Sequence, residues 1–354
     1  MTTESRFSLH RCSKIIIKLG CLFLILPTLG NAQSKLFIGV VSDLWDEPNN
    51  WFPNGVPTAN DSVLIAGSSS VEIPPGYVAS ARYLDIDDAA SLLIDNNLVP
   101  PGFGELMIAG SEANGVTSRG LIRNRGVPNI SGAADHAIDN NGIIHNGILG
   151  EIFIDSAGIY GIENNDSMHN QDLIEIKNIH GPQSIGLFNW GSFLNEGIMI
   201  IDSISLNGLV TLDWFENRDT ICIQHFNMLE LGANAGLDVS AGSILNAITG
   251  YLLVADGQVA APGVFNRAEI VNRGFLHIAR LVNTGFSHRT DASTTLNEGT
   301  ILIDDVTSSG VHISNNSSFV QLPSGQTQIM NVVGDWIIVD LGSTFEIEGD
   351  FDVN

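Results

Sequence analysis

Three stretches decide the fold: Asn141-Gly142-Ile143-Ile144-His145-Asn146-Gly147, Asn165-Asp166-Ser167-Met168-His169-Asn170-Gln171 and Asn189-Trp190-Gly191-Ser192-Phe193-Leu194-Asn195-Glu196-Gly197. Their leading Asn residues fall at 141, 165 and 189, a period of 24. Each stretch runs into a β-branched segment: Glu151-Ile152-Phe153-Ile154-Asp155, Leu173-Ile174-Glu175-Ile176-Lys177 and Ile198-Met199-Ile200-Ile201-Asp202. Looser copies follow at Phe265 to Ile278 and Leu296 to Asp304, and a partial one precedes at Leu121 to Gly126. Short apolar runs bounded by Gly, Asn, Asp or Pro are the signature of strands and turns, and no helical apolar periodicity lasts beyond two turns. A unit of 20–25 residues with short strands and no helix is about one coil of a right-handed parallel β-helix. Gly and Asn would supply the left-handed corners at least cost, and stacked Asn side chains would bond along the stack. A leucine-rich repeat lacks its L-x-x-L-x-L spacing here, and propeller blades are longer. An antiparallel sandwich is the rival reading, and it leaves the 24-residue return of Asn without a cause. About 13–15 coils at roughly 4.8 Å each are expected.

The N-terminal residues read as an export signal. Arg6, Arg11, Lys14 and Lys18 precede the apolar run Leu19 to Leu26, and Gly30-Asn31-Ala32 closes it with small residues. Cleavage is expected after Ala32. The apolar run is shorter than the roughly 20 residues a membrane span needs, so no transmembrane segment is expected in the mature chain. Removing residues 1–32 takes four of the 15 Lys+Arg and one of the 39 Asp+Glu, which leaves 11 and 38 and a net charge of −27. Such a charge excludes nucleic acid and anionic membranes as partners. Cys12 and Cys21 leave with the leader, so the lone Cys222 has no internal disulfide partner. It lies in Ile221-Cys222-Ile223 and reads as a buried hydrophobe.

The mature chain opens differently. Asp43-Leu44-Trp45-Asp46-Glu47-Pro48-Asn49-Asn50-Trp51-Phe52-Pro53-Asn54-Gly55-Val56-Pro57-Thr58-Ala59-Asn60-Asp61-Ser62-Val63-Leu64-Ile65 gathers two Trp and three Pro. This W…NNW…G-V-P-T-x-N-D-x-V-x-I pattern resembles the start of secreted β-helix adhesin-type proteins of the Bacteroidetes, as does the Asn-Ala-Gln close of the leader. The resemblance is specific over roughly residues 43–110 and generic beyond, and it implies that this segment leads into the first coils. It also implies a C-terminal β-sandwich sorting domain. The sequence stops at Asn354 still in strand-like residues, which fits a released protein or a piece of a longer one. The expected organisation is a leader at 1–32, an aromatic and proline cap at 33–62, and β-helix repeats over 63–354. Trp45 and Trp51 would cover the open end of the solenoid, or stack on a sugar.

Few other residues point to chemistry. Alternation puts Asp85 and Asp87 on one outward face, where converging oxygens would suit Ca²⁺ or a general acid/base pair, and a solvated face is the plainer reading. His145 and His169 occupy equivalent positions about 5 Å apart, with the next equivalent near Phe193; they suit a metal or a packing ladder. Arg119, Arg123 and Arg125 form a basic cluster expected to pair with nearby carboxylates. No nucleophile, phosphate-loop or zinc motif is present, and no cofactor is expected. The expectation is a secreted or surface-bound, non-enzymatic adhesive protein whose partner is an extracellular glycan or a host or cell-surface protein. The alternative is a β-helical polysaccharide lyase or glycoside hydrolase with a lateral groove.

Overall fold

The computed structural model describes residues 32–96, 102–226, 235–258, 262–288 and 292–354. The leader residues Arg6, Arg11, Lys14, Lys18, Leu19 to Leu26, Gly30 and Asn31, with Cys12 and Cys21, lie outside the described residues. Ser34–Asn354 forms one unit. Three short strands make each coil, the first being Ser62–Ile65, Ser70–Ile73 and Val78–Ala81. Among the described residues twelve coils follow one another, fewer than expected, ending with Ile337–Val339, Thr344–Ile347 and Asp350–Val353. At about 4.8 Å per step that is roughly 53 Å of stack. Coil lengths scatter to both sides of the 24-residue period, since Val63 pairs with Leu84 after only 21 positions while other coils carry insertions at their corners. Leu84, for example, pairs with Val116 in the next coil.

Every strand pairs in parallel with its counterpart one coil away, which builds three sheets of 14, 12 and 12 strands. We call them sheets 1, 2 and 3 in the order the chain visits them. Sheet 1 has two extra strands from the N-terminal segment: Ser34–Phe37 pairs in parallel with the first coil, and Trp51–Phe52 pairs with it antiparallel. Alternation sends every second side chain inward. Equivalent inward residues then stack, as in the sheet 3 column Ile108, Ile130, Ile154, Ile176, Ile201 and Ile223, all at most 2% exposed. Fully burying one such side chain stabilises by roughly 1.5–3 kcal/mol.

Sheet 3 turns a corner at one repeated place. In Leu173–Ile179 the inward residues are Ile174, Ile176 and then Ile179, one residue later than alternation predicts. Asn178, with φ +56°, absorbs the break in the left-handed region. Ser156, Ser203, His225, Asp256, Arg280, Asp305 and Asn331 do the same in other coils, all at positive φ, and Gly132 does it earlier. Asn and Asp tolerate this conformation through local side-chain bonding, so their frequency at this corner has a steric cause.

Two Asn columns close the ends of sheets 1 and 2. In sheet 1 the column runs Asn140, Asn164, Asn189, so the first two expected leading residues, Asn141 and Asn165, each sit one place beyond the true equivalents of Asn189. Asn140 Nδ2 donates to Asn164 Oδ1 at 2.7 Å, and Asn164 Nδ2 to Asn189 Oδ1 at 2.7 Å. The longer column ends sheet 2: Asn124, Asn146, Asn170, Asn195, Asn217, Asn246, Asn272 and Asn297, each buried. Each amide donates to the next at 2.7–2.9 Å without a break. An unpaired buried amide costs several kcal/mol, and here each one is paired by its copy in the following coil.

Cys222 corrects its expectation. Ile221 and Ile223 point inward, so Cys222 points outward and is half-buried, with burial pushing its thiol pKa up.

Candidate functional site

The sequence candidates fall in three separate places. Trp45 and Trp51 are 0% and 1% exposed, with ring centroids 4.9 Å apart, edge to face. Trp51 Nε1 donates to the Trp45 carbonyl at 2.8 Å, and Phe37 packs on Trp51 at 5.1 Å. Leu44 bridges to Glu72 of the first sheet 2 strand. Neither indole has a free face, so a sugar has nothing to stack on there. The rings plug the first coil.

Asp85 and Asp87 do share an outward face, and Arg119 of a later coil fills the space between them. Its Nη2 donates to Asp85 at 3.2 Å and to Asp87 at 2.8 Å, and its Nε lies 3.4 Å from Asp88. The Arg119 hydrogen bond holds the Asp87 carboxyl below the usual carboxylate range. A guanidinium occupies the position that Ca²⁺ or a shared proton would need.

His145 and His169 are register partners on sheet 2, their rings stacked at 5.0 Å and 19°. Each Nε2 already has a partner, Gln171 Oε1 at 3.1 Å for His145 and Glu196 Oε2 at 2.8 Å for His169. The next equivalent residue is Leu194, while Phe193 points into the core and stacks on Phe215 at 4.9 Å. The expected aromatic continuation of this stack is therefore absent. Glu196 also accepts from Arg218 at 2.7 Å, so the pair ends in an ion network.

A fourth place, missed in the sequence, gathers more chemistry. On the outer face of sheet 1 the register column reads Asp85, Thr117, Asp139, Glu163, Phe188. Beside it His136 stacks on Tyr160 at 4.7 Å and 21°, Tyr160 meets Phe188 at 5.0 Å, and Phe188 meets Trp190 edge-on at 5.3 Å. Trp190 is 51% exposed. The four rings form a row across three coils, with Asp139 and Glu163 along its flank. His136 Nδ1 lies 3.0 Å from Glu163 Oε2. Asp139 accepts from Asn141 at 2.6 Å, from Asn114 at 3.2 Å and from Asn165 at 3.4 Å. Burial, reinforced by the Glu163 charge, still raises the Asp139 carboxyl pKa. Burial also raises the Tyr160 hydroxyl. An adjoining depression of about 250 Å³ is lined by Arg82, Tyr83, Glu112, Asn114 and Asp135.

The signal for this row was present but displaced. His136 and Tyr160 stand four residues before Asn140 and Asn164, and Asp139, Glu163 and Phe188 stand one residue before Asn140, Asn164 and Asn189. Counting from Asn141 and Asn165 hides it, because a one-residue slip moves every side chain to the other face.

Among the described residues no helix is long and apolar enough to cross a membrane. No protein-family model matches the chain, and no curated protein matches it either, so the Bacteroidetes-type likeness of residues 43–65 has no counterpart there. Two solved structures are similar. The surface protein and adhesin PfbA of Streptococcus pneumoniae matches at 10% identity over 89% of this chain and 93% of its own, with a TM-score of 0.33. A TibC-catalysed hyper-glycosylated fragment of TibA matches at 11% identity over 82% and 99%, with a TM-score of 0.29. Scores this low carry no functional conclusion.

Proposed function

We propose that the protein is exported, with residues 1–32 removed, and acts outside the cell as a non-enzymatic adhesive solenoid that binds glycans on the outer face of sheet 1. The observation that carries this reading is the row His136, Tyr160, Phe188 and Trp190 flanked by Asp139 and Glu163. The half-exposed Trp190 at the end of the row offers a surface to the apolar side of a sugar ring, and carboxylates and amides along the row take its hydroxyls. The net charge of −27 after leader removal favours a neutral glycan over an acidic one. Residues 33–62 serve as the cap and 63–354 as the repeats, on the secreted protein or at the outer surface.

A second reading has one observation behind it. Asp139 and Glu163 offer oxygens within 4.8 Å of each other, near the roughly 5–5.5 Å of a retaining glycosidase pair, and one of the two carboxyls is raised. A glycan array run beside a reducing-sugar assay separates the two. Binding without turnover, lost in Tyr160→Ala and Trp190→Ala at unchanged melting temperature, supports adhesion. Turnover abolished by Glu163→Gln overturns it in favour of hydrolysis.

A further inference from the structure

We propose that His136, Asp139 and Glu163 form a binding site for one divalent transition-metal ion of the zinc class. This goes beyond the glycan reading and does not depend on it. The three side chains each bring one donor atom, and these atoms all lie within 4.8 Å of one another. Asp139 and Glu163 are direct register partners on neighbouring strands of sheet 1, and His136 stands three residues before Asp139 in the bend that enters its strand.

The donors are held in place before any ion arrives. The His136 ring is clamped against Tyr160 at 4.7 Å, and its main-chain N–H donates to Asn114 Oδ1 at 3.2 Å. The same Asn114 donates through Nδ2 to Asp139 at 3.2 Å, and Asn141 donates to the other Asp139 oxygen at 2.6 Å. Amides that orient metal-binding carboxylates and rings from behind are a regular part of such sites.

The local bonding leaves a donor unused. His136 Nδ1 is shut off from solvent and lies 3.0 Å from Glu163 Oε2, yet the contact is misaligned and makes no hydrogen bond. Two carboxylates meet here, and among the described residues no Lys or Arg forms an ion pair with either. An added dication would answer both the idle nitrogen and the paired negative charge.

The donor set selects the ion. Calcium takes six to eight oxygens, and here there are three donors, one of them an imidazole nitrogen. Zinc and its neighbours accept one ring nitrogen and two carboxylates, with a position left open. Donors around tetrahedral zinc sit roughly 3.4 Å apart at bond lengths of about 2.0–2.2 Å. His136 and Glu163 already stand near that spacing, and the Asp139 donor lies within 4.8 Å of both.

The test is calorimetric titration of the full chain with ZnCl₂ and, separately, CaCl₂. One zinc per chain is expected, at least tenfold weaker in His136→Gln and in Glu163→Gln, and unchanged in His145→Gln. Asp139→Asn, which keeps the shape and its amide neighbours, carries the test should either of the other variants fail to fold. No zinc heat in the wild type, zinc binding that survives these substitutions, or calcium bound as well as zinc would overturn the proposal.

Discussion

Gly186 and Ile201 meet across the interior of one coil so closely that a methyl group on Gly186 would stand 2.4 Å from Ile201 Cγ2 and 2.6 Å from the Gly208 carbonyl oxygen. The Ile201 side chain of sheet 3 packs directly on the Gly186 backbone of sheet 1, and the isoleucine column fills what the missing side chain leaves. Gly186→Ala is expected to destabilise by about 1–3 kcal/mol, as overpacking does elsewhere. Ile201→Ala alone is expected to cost about 2–5 kcal/mol, and the double variant should lose less than the sum of the two, since one of the two clashes disappears. Urea denaturation of the single and double variants measures the coupling, and strict additivity would show that the two residues do not compete for space.

Cutting the sheet 2 ladder at its middle should cost more than one hydrogen bond. Asn195→Ala removes the acceptor of Asn170 and the donor to Asn217, both in a buried column. A loss of about 2–4 kcal/mol is expected, since each unsatisfied buried group costs roughly 1–3 kcal/mol. Asn195→Asp should be worse still at neutral pH, because it buries a charge. Wild-type stability of Asn195→Ala in chemical denaturation would contradict the ladder's role.

The cap makes a separate forecast. Trp45→Ala and Trp51→Ala should each cost about 3–5 kcal/mol, the usual range for a buried Trp. The double variant should lose less than the sum, because the two rings pack on each other at 4.9 Å. Differential scanning calorimetry reads both, and a melting temperature unmoved by either variant would deny the cap its role.

His288 should make stability pH-dependent. It lies fully buried in the register position of Asn266, with Ser293 Oγ 2.9 Å from Nδ1 and Thr295 Oγ1 3.1 Å from Nε2. Burial pulls its pKa down to about 4. The unfolded chain, with a His near 6.5, binds the proton more tightly, so the stabilising contribution is whole above about 6.5 and lost as pH falls toward 4. The full loss is about 3 kcal/mol. Asp238, pushed up to about 6 by burial despite Arg267 at 2.6 Å, acts in the opposite sense, losing its contribution as pH rises through that value. Comparing wild type with His288→Asn cancels Asp238. The difference in stability should rise from pH 4 to 6.5 and then level off; a flat difference would exclude His288 as the cause.

The repeat was readable because left-handed corners and buried amides both call for Gly and Asn, which marks every coil. Its register was not, and the reason lies in the coil lengths. Successive ladder residues of sheet 2 are separated by 22, 24, 25, 22, 29, 26 and 25 positions, so no fixed period tracks them. His145 and His169 pair as the 24-residue period implies, because their coils are separated by that length. The step to the following coil is 25, so the equivalent of His169 there is Leu194 and not Phe193. His136 and Tyr160, like Asp139 and Glu163, are 24 apart and lie hidden for a different reason, the facing of their strand. Neighbours on an outer face become visible only when burial says which Asn of a pair such as Asn140-Asn141 points inward.

The ladder of sheet 2 also gives the protein an electrical direction. Every link from Asn124 to Asn297 donates toward the C-terminal coil, so the amide dipoles add rather than cancel. Its first oxygen is met by the Gly126 N–H at 3.1 Å, and its last NH₂ by the Gln326 carbonyl at 2.9 Å. Each bond polarises the next, as in other hydrogen-bonded chains. The core of the solenoid therefore carries a one-way polar wire, whose sense is set by the direction of the coils themselves.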